Sequence, residues 1–291
     1  MGYLCIMISL LAGATKGYMG KKISNNVASY RQAAFINMFR MFICIAIGGL
    51  SFVVECSQSG FVIDKEVIIY GCLMGITLSL FIITWLLAVQ NGAFMLVSVA
   101  QMFGTVLTIV CSFLFLREPI EPKQFVAIAI LIVAVLVMVS YSSGIKGKLS
   151  TFGIIMIVCC GISCGINDFS LKLCREFSSA NISTFNFISY IFSTIVLAVV
   201  VALPSSDNFN KRELLKSDFW TIAIMSVCLF INSYFKTMAN DYLSVAQVYP
   251  ISQAGGLILS ALMSALFFKE KITLRCIVGM ILAFVAVILL K

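Results

Sequence analysis

In a chain with no histidine and few charges, the residues able to do chemistry are polar groups stranded inside long apolar runs. Lys16 and Arg40 each sit within such a run, with no carboxylate in the same run to neutralise them. Together they could form a cationic vestibule, and a guanidinium can grip a carboxylate or phosphate through two parallel hydrogen bonds. The plainer alternatives are that Lys16 reaches the lipid headgroups along its alkyl stem and that Arg40 anchors on backbone carbonyls. Gln101 and Gln253 place an amide near the middle of two further runs, as interhelical hydrogen-bonding groups or as walls of one cavity. Tyr249-Pro250 adds a hydroxyl and a kink, because proline frees a carbonyl one turn earlier. Trp85 either lines a pocket or sits at the membrane–water interface. Asn167, Asp168 and Lys172 lie close together. The four-residue spacing of Asp168 and Lys172 predicts that they pair, and Asp168 is the best candidate for a proton-coupling site. Asn232 and Lys236 repeat that spacing and are expected near an interface.

The same inventory excludes most catalysis. Without histidine the commonest general base and metal ligand is missing. Cys159, Cys160 and Cys164 lack the paired CxxC arrangement of a zinc site and read as small apolar filler. No GxxxxGK[ST] loop offers a phosphate cradle. The expectation is a protein that is not an enzyme and needs no cofactor and no metal.

Composition decides where these residues sit. Apolar residues make up 61% of the chain and charged residues 11%, against roughly 45–50% and about 25% in soluble domains. Such a chain has little material for a water-facing surface, so its solvent is the lipid bilayer. The apolar runs are continuous rather than alternating, which predicts helices, each needing about 20 residues to cross. Ten spans can be placed, near residues 3–20, 33–54, 67–89, 92–116, 122–142, 150–171, 182–203, 218–239, 242–268 and 272–290. Pro204–Lys216 reads as the longest polar loop. Lysines and arginines are somewhat more frequent in the loops after the odd-numbered spans, which leans toward both termini facing outward. These loops account for the net charge of +8 without a nucleic-acid partner.

The chain also repeats itself. SVAQMFGTVLTIVCSFLFLRE at 98–118 and PISQAGGLILSALMSALFFKE at 250–270 agree at Gln101/Gln253, Gly104/Gly256, Leu107/Leu259, Phe115/Phe267 and Glu118/Glu270. Glu118 and Glu270 precede apolar runs, where a carboxylate stabilises exposed helix N-terminal amides. Gly13 and Gly17, and likewise Gly161 and Gly165, form GxxxG pairs that let helices approach closely. Two units, 1–145 and 146–291, each hold five spans. An odd number sends the second unit into the membrane from the opposite side, a device of secondary transporters. The expected fold is thus an all-α integral membrane protein of ten transmembrane helices in a 5+5 inverted-topology repeat.

Phe39-Arg40-Met41-Phe42, the run from Trp85 to Val89, and Leu116-Arg117-Glu118, with Phe268-Lys269-Glu270 and Val278-Gly279 in the second unit, resemble the EamA type of the drug/metabolite transporter superfamily. The resemblance spans essentially the whole chain and implies a ten-helix carrier of small metabolites. Tyr249 through Met280 is also similar to the last two helices of small multidrug-resistance proteins, and Tyr249 falls where those have a substrate-lining tyrosine. Those proteins carry a glutamate in their first helix; the matching position here is Gly13. Lys16, Arg40, Trp85, Gln101, Asn167, Tyr249 and Gln253 are therefore the expected substrate-binding residues, with Asp168 for coupling. The expected partner is a small anionic or zwitterionic metabolite, such as an amino acid or organic acid, carried across the plasma membrane by a monomer or homodimer. An exporter of amphipathic drug-like or lipid-linked compounds is the alternative, and a non-transporting receptor or structural protein the distant one.

Overall fold

A computed structural model describes residues 1–27, 29–60, 63–91, 94–117, 121–142, 151–203, 211–267 and 274–289. Within them the secondary structure is helical: α1 (Gly2–Ser24), α2 (Tyr30–Ser59), α3 (Lys65–Asn91), α4 (Phe94–Cys111), α5 (Pro122–Ser142), α6 (Thr151–Phe177), α7 (Ile182–Ala202), α8 (Lys211–Ala239), α9 (Val245–Phe267) and α10 (Leu274–Leu289). Five of these, α2, α3, α6, α7 and α8, contain stretches long and apolar enough to cross a bilayer among the described residues. The helices run further than the apolar runs because their ends stay helical after hydropathy falls. In particular, Lys211–Lys216 belongs to α8 rather than to a loop, and α6 continues to Phe177. Glu118 and Glu270 lie outside the described residues.

Local chemistry explains several boundaries. The Ser29 side chain accepts from the Gln32 N–H and caps α2. Asp64 does the same for α3, accepting from the Val67 N–H at 2.8 Å. Gly60 ends α2 at φ 83°, a left-handed conformation open to a residue without Cβ. After α4 the chain loosens into a π-helical segment, Ser112–Leu116, and stops at Arg117, which adopts φ 54°.

Packing relates the two halves. α1 lies against α8 as α3 lies against α6; α2 meets α7, α4 meets α9 and α5 meets α10. Exchanging α1–α5 with α6–α10 turns these pairings into one another or into themselves. Polar contacts fasten several of them: Ser79 Oγ lies 2.8 Å from Ser193 Oγ between α3 and α7, and the Thr108 hydroxyl donates to the Gly165 carbonyl between α4 and α6. In a bilayer, where lipid competes equally for apolar surface, such bonds and close backbone approach carry helix association.

The approach is not equal in the two halves. A Cβ on Gly104 would strike the carbonyl oxygen of Gly161, and one on Gly165 would come within 2.5 Å of the carbonyl oxygen of Gly104. The repeat counterpart of Gly104, Gly256 on α9, has nothing within 4 Å of its Cβ position. Gly104→Ala should therefore lower the thermal midpoint in detergent by the equivalent of about 1–3 kcal/mol of overpacking, while Gly256→Ala leaves it unchanged. Equal midpoints for the two variants would contradict the packing.

Asp64 adds a clasp at one membrane face. Beyond capping α3, its carboxylate takes the Ser178 hydroxyl at 2.8 Å and the Ser179 N–H at 3.0 Å from the α6–α7 turn. Partial burial pushes this carboxyl up, but the bonds from Val67, Ser178 and Ser179 outweigh it and hold the group below its ordinary 3.8. A depressed carboxyl stabilises the fold above its unfolded value and loses that contribution as pH falls through the lower folded one. Acid titration should show the stability advantage of wild type over Asp64→Asn in full at neutral pH, shrinking once pH falls to about 3.8 and lost as it passes the lower folded value.

Candidate functional site

Where α1, α3, α4, α6, α8 and α9 converge they leave a cavity of about 130 Å³. Its polar lining comes from both halves. Lys16, Trp85 and Gln101 of the first face Asn167, Asp168 and Gln253 of the second. Six of the eight residues singled out from sequence thus share one wall-to-wall space. Gly13 matters to its shape: a Cβ there would lie 3.0 Å from the Asn232 amide nitrogen, so glycine lets α8 come up against α1. The Asn232 amide donates to the Ser9 carbonyl at 2.8 Å and to its hydroxyl at 2.9 Å, closing the cavity along that seam.

The second cation of the cavity is Lys236, not Arg40. Lys236 Nζ sits 2.7 and 2.8 Å from the two carboxylate oxygens of Asp168, with the carboxyl residue 2% exposed and the lysine 8%. This corrects two expectations. Asp168 does not pair with Lys172 one turn on, because Lys172 turns toward Glu176 at 3.4 Å. Nor does Lys236 pair with Asn232 at an interface, since each crosses to another helix. Asp168 is also deeper than a span ending near 171 implied: Phe177 closes α6 nine residues later, about 14 Å along the axis.

Tyr249 and Arg40 lie off the cavity wall. Tyr249 is fully buried behind Asp168. Its hydroxyl donates to the Asp168 backbone carbonyl at 2.7 Å and accepts from the Asn240 amide at 3.1 Å, and its ring sits beneath the Lys236 ammonium. Arg40, 3% exposed, donates to Asn37 Oδ1 on its own helix and has Cys44, Tyr190 and Cys228 as neighbours. The expected vestibule of Lys16 with Arg40 is therefore replaced by Lys16 with Lys236.

Several lining groups are left without partners. Lys16 makes no hydrogen bond or ion pair among the described residues; its ammonium lies 6.0 Å from the centroid of the Phe81 ring, with Arg40, Lys236, Cys164 and Asp168 in electrostatic reach. Asn167 Oδ1 is buried with no hydrogen-bond partner. Gln253 reaches no nearer than the Cys164 sulfur, at 3.6 Å. Among the described residues the cavity therefore holds two cations against one carboxylate, with amide groups around them.

The EamA-like transporter family profile matches residues 1–140 and again residues 151–291. The chain belongs to the EamA-like transporter family. It is accordingly a multi-pass membrane protein of a transporter family, with a profile match to each half. No curated protein matches it. One solved crystal structure aligns over 99% of this chain and 95% of its own with a TM-score of 0.70, at 13% sequence identity. At that identity the likeness shows the fold alone.

Lys236→Met should strip Asp168 of its buried counter-ion and cost about 3–5 kcal/mol, as breaking one side of a buried pair does. The double variant Asp168→Asn/Lys236→Met removes both charges and should recover most of that loss. Thermal unfolding of both variants in detergent checks this; a double variant no more stable than the single one would argue against the pair.

Proposed function

We propose that the protein is a secondary-active transporter of a small anionic or zwitterionic metabolite, an amino acid or organic acid, working by alternating access. The observation carrying this reading is Lys16: an ammonium without a counter-ion, in a cavity that both halves line. An ionised group in a membrane interior is costly unless paired. A ligand carboxylate would supply the missing charge, and Asn167, Gln101 and Gln253 would hydrogen-bond the rest of a small polar solute. The cavity's size favours the same class. At about 130 Å³ it falls below the roughly 300–1,000 Å³ of sites for drug-sized ligands, which counts against a bulky amphiphile.

Alternating access is supported by the unequal glycine contacts. In an inverted 5+5 arrangement of ten spans, divided near residue 145, the α4–α6 and α9–α1 contacts are counterparts. Here α4 is closed onto α6 through Gly104, Gly161 and Gly165, while Gly256 on α9 has space around it. Closing α9 onto α1 and opening α4 from α6 would produce the mirror state and expose the cavity to the other side. The plasma membrane is the location that fits such a metabolite carrier.

The test is a thermal-shift screen of purified protein against amino acids, organic acids, sugar phosphates and quaternary ammonium compounds. Carboxylate-bearing compounds should raise the midpoint, and Lys16→Met should abolish the rise. Hits should also move down their gradient into proteoliposomes holding wild type and not into those holding Lys16→Met. Stabilisation by quaternary cations alone would overturn the substrate class.

A further inference from the structure

The charges around the cavity say more about the substrate than that it carries a carboxylate. On the wall two ammoniums, Lys16 and Lys236, stand against the carboxylate of Asp168 among the described residues, so one positive charge is in excess. Lys236 gives both its close contacts to Asp168, and Arg40 adds its field from behind the wall. A charge left uncompensated away from water is unfavourable. A solute with a single net negative charge brings the cavity to neutrality. A zwitterion adds an ammonium along with its carboxylate and leaves the excess where it was, while a dicarboxylate overshoots it.

The uncharged polar groups say what else such a monoanion should carry. Asn167, Gln101 and Gln253 offer amides to the cavity and Ser252 a hydroxyl. Asn167 Oδ1 and Ser252 Oγ are buried with no hydrogen-bond partner among the described residues. Amides and hydroxyls both donate and accept, whereas an ammonium only donates. A ligand hydroxyl therefore matches any of these groups, whichever end they present, and it brings no charge. A ligand ammonium would have to turn to Asp168, whose two carboxylate oxygens are both bonded to Lys236 already. Leu78, Phe81, Leu171 and Leu229 line the rest of the space and suit a short carbon chain.

Resting on the anion-carrier reading, we propose that the substrate is a short monocarboxylate bearing a hydroxyl, a hydroxy acid rather than an amino acid. Its carboxylate lies against Lys16 and its hydroxyl against the Asn167 amide, while Asp168 stays bonded to Lys236. The ion pair is then a fixed part of the wall, and by keeping Asp168 engaged it disfavours a ligand ammonium. Selection of this kind works through charge balance and not through shape, because a hydroxyl and an ammonium on the same carbon are nearly equal in size.

Lactate, alanine and propionate are the probes, since they share a three-carbon skeleton and differ at one substituent: hydroxyl, ammonium or hydrogen. Each is titrated against purified wild-type protein in detergent at neutral pH, where all three carboxyls are ionised, with both enantiomers of the two chiral acids. Affinity is read from the rise of the thermal midpoint with ligand concentration. Lactate should bind about tenfold tighter than propionate, the effect of one hydrogen bond, and tighter than alanine by at least as much. Lys16→Met should abolish the binding of lactate and propionate alike. Asn167→Leu should bring the ratio of lactate to propionate affinity down to about one, and a ratio that persists there would overturn the placement of the hydroxyl. The comparison of the three ligands on wild type needs no variant and decides the substrate class even where Asn167→Leu does not fold. Lactate no tighter than propionate, or alanine tightest of the three, would overturn the hydroxy acid and leave the carboxylate site standing. Lys16-dependent binding of some other carboxylate with none of the three would do the same. No Lys16-dependent binding of any carboxylate would overturn both.

Discussion

A buried carboxylate and a buried ammonium hold the second half of this protein together. Asp168 on α6 and Lys236 on α8 can afford neither water nor lipid as a partner, so each fixes the other. The consequence spreads outward. With its side chain engaged by Lys236, Asp168 presents its backbone carbonyl to the Tyr249 hydroxyl, which draws in α9; Asn240 in the turn after α8 completes the chain. Three helices are thus registered by one ionic contact, and the cavity wall they form inherits that register. Pairs of this kind add little net stability over an apolar replacement. What this one provides is a defined charge pattern on the wall of the cavity.

Backbone contact does for the other wall what charge does for this one. At α4–α6 the side chain is removed altogether, and Gly104 meets Gly161 and Gly165 through main-chain atoms. The Thr108 hydroxyl adds a bond to the Gly165 carbonyl across the same seam. Contacts made by backbone tolerate little intermediate geometry: the helices are either seated or apart. Its repeat-related counterpart lacks that contact at Gly256, so the two seams are packed differently.

How much of this was legible in the sequence follows from the range of each rule. Gln101 and Gln253 were found through the repeat and both reach the cavity, because duplication preserves depth and facing. Asn167, Asp168 and Lys16 were found as polar groups in apolar runs, since the bilayer makes such residues conspicuous one at a time. Their partners were not legible. The four-residue rule pairs Asp168 with Lys172 because it sees one helix, whereas the actual partner lies 68 residues on, across a helix–helix seam. The expectation of Lys236 at an interface fails for a related reason. Lys236 stands three residues from the end of α8, and position along a helix says nothing of a neighbouring carboxylate that draws the side chain inward. Tyr249 stands in the right neighbourhood, behind the wall and not on it, a distinction of helix rotation that the largely apolar sequence of α9 does not encode.

Arg40 shows why charge and depth together still do not make a binding residue. It stands ten residues into α2 and is 3% exposed, yet its guanidinium is held by Asn37 from the preceding turn. Asn37 in turn is fixed by giving its amide protons to the Ala33 and Ile82 carbonyls, the second of these on α3. The guanidinium therefore belongs to the packed region of α2, α7 and α8, where Cys44, Tyr190 and Cys228 surround it. Its charge is not lost to the cavity. Lys16 is within its electrostatic reach, and low-dielectric packing screens that field far less than water would. The positive field reaching the cavity is thereby set from two places, by an ammonium on the wall and by a guanidinium behind it. Only the first lies on the cavity wall.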